Sequence, residues 1–408
     1  EGRLPFISSL NYMSGVSQKD YMKDCQNYSS LIEKKFNVKM DNNKFDWKKN
    51  DKIKISFLSG DFRTHSVSHF FKEILNKLDK SFFEIHLISN LKITDHDNLT
   101  SDLKKLSDKW YDVEHYSDDD LVTLLRSLNF DILIDLCGLT SGNRYEVLAQ
   151  KCAKIQIEWL GYNNSLCLKN VDYLISDKNL IKPDELNMYK EKILFLPKIW
   201  NALPAPEILP EIANKKNILD DNFTFCSFNN FQKLSDRTID VWSRLLIKTK
   251  SKLLLKNSLI GGDDLKNNVL NKFTKLGVKK EQLVFLEREK NIDDHLKIYN
   301  KANVALDTFP YPGVTTSFEA LLMGVPVLTM KGFNMNSRCG ESINKNIKMD
   351  HLIADDEEDY IKKAIFLIEE KNNPEIYGIK LREKALSSPL FDTETFVKDF
   401  EHLLKEVI

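Results

Sequence analysis

The stretch VALDTFPYPGVTTSFEALLMGVPVLTM, Val304 to Met330, reads in order as strand, acidic turn, Pro/Gly loop, helix, stop and strand. Val304, Ala305 and Leu306 make a short apolar run, Asp307 turns the chain, and Pro310, Pro312 and Gly313 mark the loop. Thr315 or Thr316 is expected to cap the helix, because a hydroxyl accepts the orphan amide protons of a first turn. Phe318, Leu321 and Leu322 then follow at helical spacing, Gly324 stands where a left-handed C-cap is wanted, and Pro326 cannot continue the helix. The whole is a βαβ unit. Free amides at the helix start, beside two Thr hydroxyls, form a geometry that binds phosphate. Glu319, in or just after the first turn, is close enough to bond the hydroxyls of a ribose carried by the same phosphates. Helix capping alone explains these residue types too, so the choice rests on the rest of the chain.

Working outward, the pattern repeats. From Lys52 a strand (Ile53 to Leu58) meets the turn Ser59-Gly60-Asp61 and then helical spacing from about Val67. Strands follow at Phe83 to Ser89, Ile132 to Leu136, Ile155 to Leu160 and Tyr173 to Ser176, with a helix at Leu121 to Leu128. Strands alternating with helices at this spacing imply a parallel sheet covered on both faces. The Pro-containing run Ile181 to Pro210 and the polar run Asn214 to Asn222 read as irregular. A second α/β series then begins at Phe223 and continues through Leu253 to Lys256, Leu283 to Phe285, Val304 to Leu306 and Val325 to Thr329, with helices near Tyr360 to Glu369 and Thr393 to Val407. The expected division is a helical linker over 1–50, a first Rossmann-like domain over 51–215, and a second over 216–408 that includes the closing helix. In the linker, Ser17 and Asp20 form a capping-box-like start, and Tyr21, Cys25, Tyr28, Ile32 and Phe36 make one apolar stripe that needs a neighbour.

The 408 residues exceed one core's worth of chain, and 42% hydrophobic with 29% charged residues is ordinary globular composition. A net charge of −1 gives no broad field for nucleic acid or an anionic surface, and no apolar run approaches the ~20 residues of a membrane span. The six cysteines are scattered without a CxxC pair, and Cys137 and Cys226 sit in apolar strand-like contexts, so a reducing, cytoplasmic setting is expected. No GxGxxG follows the first strand, no GxxxxGK[ST] occurs, and no His/Cys cluster has metal-ligand spacing, so neither a dinucleotide nor a metal is expected. The chain opens with Glu1 and is expected to be a piece of a longer protein.

Ligands of open α/β sheets sit beyond the carboxyl ends of the strands. At the first such end lie Asp61, Arg63, Thr64 and His65, and His65 is suited to take a proton from an acceptor hydroxyl or, more plainly, to cap the next helix. His69, one turn on, is expected to pack. CGLTSGNR, with Thr140 between Gly138 and Gly142, is a polar loop suited to touching a substrate or simply to joining strand and helix. Asn229 to Lys233, which includes Gln232, follows another strand, and Lys233 would place a compact charge against a leaving diphosphate. His295 begins a helix and could stack on a base. A carboxylate pair suited to epimerase chemistry is absent beyond Asp61 and Asp135.

These pieces together resemble the catalytic region of the protein O-GlcNAc transferase and SPINDLY-like family. The matching stretches are DFRTHSVSHF (61–70), DILIDLCGLTSGNR (131–144), IEWLGY (157–162), VDYLISD (171–177), FCSFNNFQKLS (225–235), ALDTFPYPGVTTSFEALLMGVPVLTM (305–330), SRCGES (337–342) and SSPLFD (387–392). The opening LNYMSGVSQKDYMKDC resembles the linker that follows the family's tetratricopeptide repeats, which implies such repeats upstream. The resemblance implies a GT-B fold, two Rossmann-like domains with a nucleotide-sugar cleft between them. It implies an inverting, metal-independent transfer of a sugar from a nucleotide, UDP-N-acetylglucosamine first, to Ser and Thr hydroxyls of proteins.

Carried onto matching positions, His65 and Lys233 are the catalytic residues, and Gln232, His295, Gly313, Thr315, Thr316 and Glu319 bind the donor. Asp61, Thr140 and Tyr162 belong to an acceptor or donor loop. Departures fall at Asn163 to Cys167, where the family has a Pro and a Gly/Thr-rich loop, at Val314, where O-GlcNAc transferases carry His, and at Ile292, where they carry Lys. DTFPY and Glu319 look closer to SPINDLY-like enzymes, some of which use GDP-fucose. An O-fucosyltransferase, or a nucleotide-binding module without turnover, is therefore the alternative.

Overall fold

The computed structural model describes residues 3–36, 51–213, 223–256, 262–287, 289 and 291–408. It divides into two compact units, one of Glu1–Leu10, Val16–Pro204 and Asp392–Ile408, the other of Asn11–Gly15 and Ala205–Phe391. The domain boundary expected at 215/216 lies outside the described residues, as does the polar run 214–222. Among the described residues no helix is long and apolar enough to cross a membrane.

The first unit holds a seven-stranded parallel sheet of β1 (Ile53–Ser59), β2 (Phe83–Ser89), β3 (Lys109–Asp112), β4 (Ile132–Asp135), β5 (Ile155–Glu158), β6 (Tyr173–Asp177) and β7 (Lys192–Leu196), in the order β3-β2-β1-β4-β5-β6-β7. The central strands are buried on both faces, as their near-continuous Ile, Leu and Phe content requires of a parallel sheet with helical cover. Two strands of this sheet were not legible. β3 is short and half-exposed, and β7 lies in the run read as irregular, where Pro183 and Pro197 bracket an edge strand rather than interrupt one.

Two helices distant in sequence belong to this unit. The Gln18–Lys35 helix starts at Ser17 with the expected capping box, and its stripe of Tyr21, Met22, Cys25 and Ile32 is buried. The Thr393–Glu406 helix, expected with the second domain, clusters with the first unit instead. Its Phe400 ring lies 4.6 Å from that of Trp159 just after β5, and its buried Phe396, Leu403 and Leu404 complete an apolar face that the first sheet covers.

The second unit holds six parallel strands, β8 (Thr224–Ser227), β9 (Lys252–Lys256), β10 (Leu283–Leu286), β11 (Val304–Leu306), β12 (Val327–Met330) and β13 (Ile353–Ala354), ordered β10-β9-β8-β11-β12-β13. β11, the Thr315–Leu322 helix and β12 are the βαβ unit read from the opening stretch, with β11 and β12 parallel neighbours. Gly324 has φ +65°, as its C-cap position demands. In both sheets the strand order reverses once, between β1 and β4 and between β8 and β11. Those two switch points are where crevices open beyond the strand ends. All six cysteines are buried, and none forms a disulfide among the described residues.

Candidate active site

At the switch point of the second unit, the loops after β8 and β11 are tied together by Asp307. Its carboxylate accepts the Gly313 amide at 2.5 Å, the Asn229 amide at 3.3 Å and the Thr329 hydroxyl at 2.9 Å. Burial raises its pKa to about 6 against the pull of these donors and of nearby Lys233. Gly313 is required here for space. A Cβ would stand 2.5 Å from Thr316 Oγ1 and 2.8 Å from Asn229 Oδ1.

The Thr315–Leu322 helix starts differently from the expectation. Val314, not a threonine, is the N-cap, and it makes no side-chain capping bond. Thr315 and Thr316 lie inside the first turn, and Thr316 Oγ1 donates to Asn229 Oδ1 at 2.8 Å. The helix begins one residue earlier than expected, so both hydroxyls lie inside the first turn rather than at the cap, and Thr316 ties the turn to the Asn229 loop. Among the described residues no side chain caps this helix start, which leaves its positive end open to an anion.

Lys233 closes the same corner. It ends a short 3-10 turn, its Nζ donates to the Pro312 carbonyl at 2.8 Å, and it sits 4.2 Å from the centre of the Tyr311 ring. Burial pulls its pKa down to about 8, with Asp307 opposing. Gln232, its neighbour, is exposed. Between β8, β11 and the helix start lies a recess lined by Ser227, Phe228, Asn229, Tyr299, Asp307 and Thr316. The Ser227 hydroxyl is buried there without a hydrogen-bond partner among the described residues.

His295, Glu319, Tyr299 and Lys256 form a connected chain of contacts. His295 lies in the Ile292–Lys297 helix, whose N-cap is Asn291. Its Nε2 is 2.9 Å from Glu319 Oε2, which also accepts the Tyr299 hydroxyl at 3.1 Å. Its Nδ1 is 2.7 Å from Lys256 Nζ at the end of β9. Sequence reasoning passed over Lys256 and Tyr299. The available signals were a lysine closing the apolar strand LLLK, and a tyrosine four residues after the histidine, hence on its helix face.

In the first unit, the expected loops again meet at the switch point. His65 is the N-cap of the Ser66–Lys77 helix, with Nδ1 3.4 Å from the Val67 amide and 3.6 Å from Asp61 Oδ2. Capping and acid–base service compete for Nδ1: as a cap it accepts from the Val67 amide and the ring N–H sits on Nε2, whereas a proton on Nδ1 turned toward Asp61 frees the Nε2 lone pair, which has no partner among the described residues. Burial lowers the His65 pKa, Asp61 opposes the shift and Arg63 adds to it, so the ring is neutral near pH 7. His69, expected to pack, is exposed instead. A cavity of about 500 Å³ beside this loop is lined by Gly60, Asp61, Arg63, Asn90, Ser141 and Arg144, among others. Arg144 fixes its floor with bonds to Asn90, Asp118 and the Val113 carbonyl.

Two loop residues serve the scaffold. Thr140 donates to the Cys137 carbonyl at 2.7 Å and closes a turn. Tyr162 is buried, its hydroxyl 2.8 Å from that of Tyr21, so it helps hold the Gln18–Lys35 helix. Asp135, buried beside Glu158 on the next strand, is likewise interior.

The sequence profile of glycosyl transferase family 41 matches residues 20–219 and 204–400. The chain is 29% identical over 357 residues to the protein named probable UDP-N-acetylglucosamine–peptide N-acetylglucosaminyltransferase SPINDLY of Solanum lycopersicum, covering 86% of this chain. It spans 38% of that relative's length. A mutant of the Thermobaculum terrenum O-GlcNAc transferase superposes with TM-score 0.88 at 26% identity, over 99% of this chain and 76% of that one. The sucrose-phosphate synthase of Thermosynechococcus elongatus, at 13% identity and TM-score 0.60 over 87% of this chain and 99% of its own, shares the GT-B fold alone. With two parallel sheets of that fold and a profile match along almost its whole length, the chain belongs to glycosyl transferase family 41 and resembles the catalytic region of its O-GlcNAc transferase and SPINDLY-like members.

Proposed function

We propose that this chain is the catalytic region of an inverting transferase that moves N-acetylglucosamine from UDP to Ser or Thr hydroxyls of a protein, without a metal ion. The observation that carries the reading is the single corner of the second unit where Lys233, the open helix start at Thr315 and Thr316, and the His295–Glu319 pair come together. Lys233 and the first-turn amides meet the charge that grows on the leaving diphosphate. Glu319 takes a ribose hydroxyl, and the His295 ring takes the base. On the first unit His65 is the proton acceptor. In the tautomer that gives up the Val67 cap and carries its proton on Nδ1 toward Asp61, the Nε2 lone pair is presented to the acceptor hydroxyl, whose oxygen forms the new bond to the anomeric carbon as the nucleotide oxygen departs. Protein acceptors are what the relatives' names suggest.

A GDP-fucose donor is the second reading. It is favoured by Val314 at the helix N-cap and exposed Ile292 at the nucleoside side, the positions where O-GlcNAc transferases are expected to carry His and Lys.

The test is a thermal-shift series with UDP, UDP-N-acetylglucosamine, UDP-glucose, GDP and GDP-fucose, repeated with Lys233→Ala. Ligands that bind only the native state raise Tm as concentration exceeds Kd. Stabilisation by uridine nucleotides that disappears in the variant supports the first reading. Stabilisation by guanosine nucleotides alone replaces it with the second, and none at millimolar ligand leaves a module without turnover.

A further inference from the structure

We propose that Lys256 is a positioning residue for the nucleoside half of the donor, holding His295 in one tautomer and one orientation. The inference rests on the donor-binding reading above and extends it to a residue outside the motifs. Lys256 ends β9 and is buried, with Nζ 2.7 Å from His295 Nδ1. An ammonium has only protons to give, so Nδ1 must present its lone pair and the ring N–H must sit on Nε2. That N–H points at Glu319 Oε2, 2.9 Å away.

Both edge nitrogens of the ring are thereby engaged, and the ring faces remain as the surface for a flat ligand. Glu319 is ordered by the same arrangement. Its Oε2 takes two donors, His295 and the Tyr299 hydroxyl, while Oε1 has no partner among the described residues. The Tyr299 ring is backed by Phe228 at 4.7 Å, so the far end of the chain is fixed by packing. Without Lys256, no described residue would hold Nδ1, and the ring would be set by Glu319 alone, from the Nε2 side.

The test uses the whole chain with Lys256→Met and Lys256→Gln. The glutamine variant keeps an N–H donor without the charge. The first readout needs no ligand: long-range proton–nitrogen NMR of histidine-labelled protein, with the His295 signals assigned by loss in His295→Gln. Wild type is expected to show a bare Nδ1 and a protonated Nε2. Lys256→Met should lose that fixed pattern, and Lys256→Gln should keep it. The second readout is the Kd for UDP and GDP. It should weaken about tenfold in Lys256→Met, the size of one lost charge-assisted hydrogen bond, and under about threefold in Lys256→Gln.

A folded Lys256→Met that keeps either the pattern or the affinity overturns the inference. So does a Lys256→Gln that loses the pattern yet binds as wild type, a result that decides the matter even where the methionine variant does not fold. Wild type that binds neither nucleotide overturns the donor reading itself, and the nucleoside role with it.

Discussion

Replacing Gly313 by alanine should disrupt the corner around Asn229, Lys233 and Thr316 while leaving the first unit intact. The added Cβ would lie 2.5 Å from Thr316 Oγ1, 2.8 Å from Asn229 Oδ1 and 3.0 Å from Ser317 Oγ. Ordinary non-bonded contacts settle near ~3.5 Å, so all three oxygens must retreat. Two of them are joined by the 2.8 Å Thr316–Asn229 bond, and the Gly313 amide is itself held by Asp307 at 2.5 Å, so neither side yields without breaking a hydrogen bond. One lost bond at about 1 kcal/mol plus overpacking of about 1–3 kcal/mol gives about 2–4 kcal/mol. For a unit of this size that is a fall in Tm on the order of 5–10 °C, measurable by calorimetry. Thr316→Ala removes the nearest atom, so the double variant should be less destabilised than the sum of the singles by about 1 kcal/mol or more. A Gly313→Ala protein that melts with wild type, or a strictly additive cycle, would refute the argument from space.

Because burial brings the Lys233 pKa down to about 8, its positive charge is lost as pH rises through that value. Nucleoside diphosphate affinity, measured calorimetrically from pH 7 to 10, should decline above pH 8 by up to about tenfold per unit, and Lys233→Arg should flatten the profile. Equal slopes in the two proteins would sink the assignment. Asp135 and Glu158 are register neighbours on β4 and β5, and burial raises both pKa values, that of Asp135 from 3.8 to about 6. The folded chain therefore holds protons that the unfolded chain releases, so this stability is present at low pH and is lost as pH rises through 6. Glu158→Gln should raise stability at pH 8 by about 1–3 kcal/mol in urea melts, with little change at pH 4. An equal effect at both values would show that ionisation is not the cause.

How much of this was legible depended on whether the partners were close in sequence. The opening stretch contained a strand, loop, helix and strand in consecutive residues, and both its chain direction and its Gly324 stop appear as read. The N-cap was misread because residue type alone fixes a helix end only to within a residue or two, and the partner of the Thr316 hydroxyl, Asn229, lies 87 positions away, beyond any local reading. Lys256 escaped notice for the same reason: its partner His295 is 39 residues on, and from the strand alone it looks like a solvated end. Tyr162 stood in a motif, and only the fold reveals that Tyr21 of a distant helix claims its hydroxyl. The switch points, by contrast, follow from strand order, which no local pattern encodes.

The placement of the Thr393–Glu406 helix bears on how the polypeptide is made. The first unit needs Phe400 against Trp159, yet residues 205–391, which belong to the other unit, emerge from the ribosome in between. At translation speeds of about 5–20 residues per second, the apolar ground around Trp159 waits on the order of ten to forty seconds for its last helix. The unit that begins first is thus finished second, and its unfinished sheet is the surface a nascent-chain chaperone would meet.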